Sequence, residues 1–114
     1  MVKEHRRRLL RDVGVAVLEG QSIEVDTAGG SVGVAGVKGF GGGFPGASGA
    51  EFGEPEMKAF IRHTKERSEA LGSALASLRT DVRVALMHYA PIRETLQGEP
   101  PEIFPFLGSY LLAE

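Results

Sequence analysis

The sequence predicts a mixed α/β fold, and three observations support this. Residues 82–88 form a nearly continuous apolar run ending on His88, which is typical of a core strand covered on both faces. Residues 55–79 carry apolar side chains at three- and four-residue steps, which predicts a long helix packed on a sheet. Residues 22–25 alternate between apolar and polar, as in a half-buried strand. Because a helix commonly connects parallel strands, we expect one sheet to hold the strands on either side of it.

The first third of the chain is expected to form one helix and three short strands. Residues 3–13 place their leucines and a valine on one side, and Gly14 then supplies a natural helix stop. Residues 15–18 and 22–25 are interpreted as strands. Residues 32–37 form a third strand, whose small residues allow a neighbouring element to approach closely.

Prolines mark the boundaries in the second half. Pro55 is favoured in the first turn of a helix and opens the long one. Pro91 cannot donate a ladder hydrogen bond, so the strand ends shortly before it. Further prolines predict an irregular segment over residues 97–105, and residues 106–114 look like the start of another helix.

Residues 38–53 are rich in glycine, and three interpretations compete. A phosphate-binding loop would need Gly-Lys-Ser/Thr at the start of a helix, which is absent. A nucleophile elbow would need Gly-x-Ser-x-Gly, which residues 46–50 only approach. A long mobile loop, held to the body by Phe40, Phe44 and Phe52, is favoured, with a loop covering a substrate site as the alternative.

Composition limits the class of protein. A chain of 114 residues with a net charge of −2 is one domain or part of one, and its charge does not favour a nucleic acid or an anionic membrane. Without cysteine it has no disulfide framework and no thiolate metal site. No apolar run approaches the ~20 residues of a membrane span, and the basic N-terminus lacks the pattern of a signal peptide. A cytoplasmic location is the expectation.

His88 is the candidate functional residue. It is expected at the carboxyl end of a core strand, which is the edge where open α/β sheets bind ligands. A neutral imidazole is a good metal ligand when a nearby acceptor orients its other nitrogen. Tyr89 and Glu94 are close in sequence, but neither can be assigned that role. The alternative for His88 is a core histidine satisfied by one hydrogen bond. The other two histidines, His5 and His63, fall in helical patterns.

Several stretches of the chain together form a known pattern: residues 34–43, the run Leu86-Met87-His88-Tyr89-Ala90-Pro91, residues 94–96 and residues 106–114. They resemble the calcineurin-like metallophosphoesterases. The resemblance implies a β-sandwich flanked by helices (αββα) and hydrolysis of a phosphoester substrate. It implies that two metal ions (Mn, Fe or Zn) activate water, and that His88 binds one of them.

The other motifs of that family are absent. They are Asp-x-His, Gly-Asp, Gly-Asn-His-Asp and Gly-His-x-His. The chain has no asparagine, and Asp12, Asp26 and Asp81 neither follow a glycine nor stand two residues before a histidine. We therefore expect residues 1–114 to be a single partial domain, an incomplete αββα fold truncated at both ends. Two cations held ~3.5–4 Å apart need several ligands, so the chain alone is expected to be inactive and to bind metal weakly.

Two other functions stay open at this stage. The first is a non-catalytic remnant or partner-binding α/β module, which would use exposed sheet edges or the glycine-rich segment and could associate with itself. The second is a complete nucleotide-binding domain of another class, which the absence of a phosphate-binding motif disfavours.

Overall fold

A computed structural model describes residues 2–114 and confirms a mixed α/β fold. The main sheet contains three strands in the order β1-β2-β5, and one long helix, α2, packs against it. The elements in chain order are α1 (Val2–Asp12), β1 (Gln21–Thr27), β2 (Gly30–Val37), β3 (Gly43–Phe44), β4 (Ala47–Ser48), α2 (Pro55–Ser77), β5 (Val82–Met87) and α3 (Phe104–Leu107). Short 3-10 turns occupy Arg93–Leu96, Pro101–Ile103 and Tyr110–Ala113.

The main sheet combines antiparallel and parallel pairing. β1 and β2 form a hairpin in which Thr27 lies opposite Gly30, so the turn needs only two residues. β5 runs parallel to β2, with Val32 opposite Val82. The connection between these parallel strands contains α2, as a crossover requires. The predicted strands over residues 22–25, 32–37 and 82–87 are thus confirmed.

α2 covers one face of the main sheet. Ala35 and Val37 of β2 pack against Leu71, Ala74 and Leu78, and all five side chains are buried. Helix and strand approach closely because β2 is built from small residues. For example, a Cβ atom on Gly33 would lie 2.7 Å from Leu78 Cδ2. The apolar stripe of α2 is therefore core, as the sequence predicts.

The opposite face of the main sheet is uncovered, so the prediction of a strand covered on both faces is wrong. Val82, Val84 and Leu86 are 54%, 41% and 58% exposed. Alternate residues of β1 and β2 continue the same face, because Ile23 is paired with Val34 and Val34 with Val84. β5 is an edge strand, so it has no neighbouring strand on its outer side.

The glycine-rich segment is packed, although a mobile loop was expected. The β3–β4 hairpin lies within it, and the glycines from Gly41 to Gly43 are buried. The N–H groups of Gly42 and Gly43 donate to the carbonyls of Pro105 (2.7 Å) and Gly108 (2.8 Å). Phe44 is 2% exposed and belongs to a second core cluster together with Ala90, Leu96 and Phe104.

Three smaller predictions differ from the structure. Residues 15–18 are irregular rather than a strand. Phe52 is 82% exposed, so it does not hold the glycine-rich segment to the body. Residues 106–114 do not begin a regular helix, because α3 ends at Leu107 and the backbone at Gly108 is fully extended. A 3-10 turn follows.

α1 ends in a Schellman motif and lies apart from the sheet. The N–H of Gly14 donates to the carbonyl of Arg11 (3.0 Å), and the N–H of Val15 donates to that of Leu10 (2.9 Å). Gly14 has a φ of +85°, which favours glycine at this position. In the part of the chain that the structure describes, α1 makes no extensive contact with another element. Among the residues described, no helix is both long enough and apolar enough to cross a membrane.

Candidate functional site

His88 lies where the sequence places it, directly after the last residue of β5. The backbone N–H groups of His88 and Tyr89 both donate to the carbonyl of Lys38, each at 3.1 Å. Lys38 directly follows β2, so the ends of two parallel strands are tied together at this point. The side chain of His88 is exposed. It is therefore held by its backbone at the carboxyl edge of the sheet, with its imidazole open to solvent.

An aromatic cluster lies beside His88. Its centre is Phe40, whose ring centroid is 4.7 Å from that of Phe60 and 5.8 Å from that of Tyr89. The ring of His63 meets Phe40 edge-on at 4.7 Å. The ring of His88 meets Tyr89 at 5.7 Å, also nearly perpendicular. Both histidines thus border one group of aromatic rings.

The side-chain ammonium of Lys38 lies over the same aromatic cluster. Lys38 Nζ is 5.9 Å from the ring centroid of Phe40 and 5.8 Å from that of Tyr89, which is within the range of a cation–π contact. The carboxyl edge therefore carries one lysine and two imidazoles around aromatic rings. Lys38, Phe40 and His63 were not predicted as site residues. His63 lies exposed on α2, and the periodicity of the helix cannot show that its ring reaches Phe40.

Two clefts flank His88. The first has a volume of about 370 Å³, and Glu19, Lys38 and His88 line it together with apolar residues. The second, of about 380 Å³, extends from Met87 to Pro91 and is also lined by Thr95, Leu96, Phe106 and Leu107. In the first cleft, Glu19 is the one carboxylate beside the imidazole.

Glu19 is already engaged by other groups. Its Oε1 atom is 3.5 Å from Arg67 Nη1, and its Oε2 atom accepts a hydrogen bond from the backbone N–H of Lys38 at 3.3 Å. These contacts connect the chain before β1 to α2 and to the end of β2. The carboxylate therefore neutralises Arg67, and a cation beside His88 would have to compete for it.

The residues present do not fit a two-metal centre. Within residues 2–114, no three side chains of histidine, cysteine, aspartate or glutamate are grouped closely enough to hold a metal ion. Nor does any described side chain hydrogen-bond the imidazole of His88. Glu94 is exposed in the turn Arg93–Leu96. His88 is thus a single donor without co-ligands in this chain.

The glycine-rich segment contributes packing rather than chemistry. The hydroxyl of Thr64, which is fully buried, donates to the carbonyl of Gly41. A Cβ atom on Gly41 would lie 2.1 Å from the Pro105 carbonyl oxygen, so a larger residue does not fit. Ser48 lies in the exposed β4 strand of a hairpin, without the strand-turn-helix setting of a nucleophile elbow.

An ion cluster fixes the end of this segment to α2. Glu51 accepts hydrogen bonds from Arg62 Nη2 at 2.6 Å and from Lys65 Nζ at 3.1 Å. These two partners, Arg62 first, hold the pKa of Glu51 below its ordinary value of 4.5. The cluster lies at the surface and is structural.

Comparison with known proteins adds no relative. No family model, no curated protein and no solved structure matches this chain.

Proposed function

We propose that this chain is an α/β module of the metallophosphoesterase type, in which His88 supplies one metal donor. The observation that carries the proposal is the setting of His88: an exposed imidazole at the carboxyl end of a parallel strand, with its backbone fixed by the Lys38 carbonyl. A histidine that binds a metal ion at a strand end needs a fixed backbone and an accessible ring nitrogen, and His88 has both. In the parent architecture, α2 and the main sheet would be one half of an αββα sandwich.

We also propose that the chain by itself does not hydrolyse phosphoesters. Hydrolysis by two metals needs a set of ligands that holds both cations close together. A single imidazole binds a divalent cation weakly, and Glu19 is engaged with Arg67. We therefore expect no metal-dependent hydrolysis of an aryl phosphodiester by this chain. Robust turnover with Mn²⁺ would contradict this part of the proposal.

A binding measurement tests the role of His88 directly. Dilute Mn²⁺ is added to the protein, and the paramagnetic broadening of each histidine ring signal is followed by NMR. We expect the ring of His88 to broaden well before those of His63 and His5. His63→Ala serves as the matched control and should leave the broadening of His88 unchanged. Broadening that is equal at all three rings, or centred away from His88, would remove this residue from the proposal.

A second candidate is a non-catalytic module that binds a partner protein. The uncovered face of the main sheet favours it, because Val82, Val84 and Leu86 lie exposed beside one another. Monomeric proteins rarely expose large apolar patches without a use for them. The glycine-rich segment does not favour this candidate, since its glycines are largely buried.

A further inference from the structure

The uncovered face of the main sheet, called the open face here, has an unusual composition. It consists of alternate residues of the three strands, and five of its apolar side chains are between 37% and 58% exposed. They are Ile23, Val25, Val82, Val84 and Leu86. Val32 and Val34 lie between them in the register, and no charged residue occupies this face in any of the three strands.

We propose that the open face binds the open face of a second copy of this chain, so that two sheets pack between two α2 helices. Each copy already has α2 on its other face, so face-to-face pairing gives a four-layer α-β-β-α dimer. The proposal deepens the second candidate function by naming its partner, and it is independent of the role of His88.

The absence of charge favours a second copy as the occupant. A two-fold interface brings the same patch together from both sides, so a charge on this face would be buried against apolar side chains that offer it no partner. The side chains that would meet are those of valines, an isoleucine and a leucine, which are typical of the interior of a sandwich. The charged residues of β1, Glu24 and Asp26, belong to the opposite face.

The area of the open face determines how strong the dimer is expected to be. At the exposed fractions above, it presents on the order of 500 Å² per copy, so a dimer would bury about 1,000 Å², the lower limit for a specific interface. Leu18 covers one end of the face, above Gly36, and limits further overlap there. We therefore expect a weak dimer whose dissociation depends on concentration.

Val84 and Ala85 provide a matched pair for the test. They are neighbours in β5 and both are exposed, but their side chains point to opposite faces of the sheet. Sedimentation velocity over a wide concentration range measures dimerisation of the wild type, Val84→Glu and Ala85→Glu. We expect Val84→Glu to raise the dimer Kd by at least about tenfold, because it buries an unpaired charge. Ala85→Glu should change it little. Equal effects would indicate pairing through the β5 edge and would overturn the proposal.

Thiol chemistry supplies a second readout, since the chain has no cysteine of its own. With a short bis-maleimide, Val84→Cys should form covalent dimers and Ala85→Cys should not. A chain that stays monomeric at every concentration would overturn the proposal. In that event, fast labelling of Cys at position 84 would show the face to be free and leave partner binding intact. Slow labelling would reject partner binding as well.

Discussion

The two faces of the main sheet are formed by the same strands but differ in what covers them. On one face Ala35 and Val37 are buried under α2, at 0% and 3% exposure. On the other, Val84 and Leu86 are about half exposed. Both faces carry apolar residues, and the charged Glu24 and Asp26 lie on the covered one, so hydropathy alone does not show which face is covered. An apolar residue of this sheet is therefore expected to contribute more to stability where a second layer covers it.

The largest expected effect concerns two leucines, one in the core between α2 and the sheet and one on the open face. Leu71 is 3% exposed in the core under α2, whereas Leu86 is 58% exposed on the open face. Leu71→Ala should lower the free energy of unfolding by about 2–5 kcal/mol. Leu86→Ala should lower it by less than about 1 kcal/mol. Urea denaturation of dilute protein measures both. Similar losses would mean that the open face is covered within the monomer.

The comparison extends to two glycines, one in a buried contact and one on an open surface. Gly41 has the Pro105 carbonyl oxygen where a Cβ would lie, whereas Gly72 on α2 has open space. Gly41→Ala should destabilise the fold by about 1–3 kcal/mol through overpacking. Gly72→Ala should stabilise it by roughly 0.5–1 kcal/mol, because alanine is the better helix former. Thermal unfolding of the two variants checks the opposite signs, and a stable Gly41→Ala protein would contradict the packing of this segment.

The smallest effect is expected at the surface, in the ion cluster of Glu51. Because its pKa is lowered in the folded protein, the cluster stabilises the fold above the ordinary pKa of 4.5. This contribution is lost as the pH falls through the lowered value. Urea midpoints measured between pH ~6 and ~3 should show this decrease for the wild type. In Glu51→Gln the decrease should be smaller, and an identical pH profile would show that the cluster adds nothing measurable.

Much of the fold could be predicted from local patterns. The stripe of α2, the alternation in β1 and the apolar run of β5 each depend on neighbours in sequence. The exposure of Val84 and Leu86 could not be predicted, since periodicity reports which side chains share a face and not what lies above it. The strand expected at residues 15–18 does not form, and no strand of the described chain pairs with this segment. A local run of apolar residues does not show whether a pairing partner is present.

The candidate site was predicted only in part. The position of His88 followed from the strand end and the proline after it. The cluster around it depends on tertiary contacts, since Phe40, Phe60 and Tyr89 come from three distant segments. Lys38 and Phe40 follow a predicted strand, but nothing in the local sequence indicates that their side chains meet Tyr89.

The order of the strands also bears on how the chain reaches its structure. The β1–β2 hairpin closes over two residues, and α2 needs only contacts within itself, so both can form early. The pairing of Val32 with Val82 joins residues fifty positions apart and requires the whole crossover to be in place. Closing such a long loop costs conformational entropy before the stabilising contacts of β5 form. We therefore expect β5 to pair last and to limit the folding rate. A chain in which β5 has not yet paired would leave the edge of β2 free, and this free edge would favour aggregation.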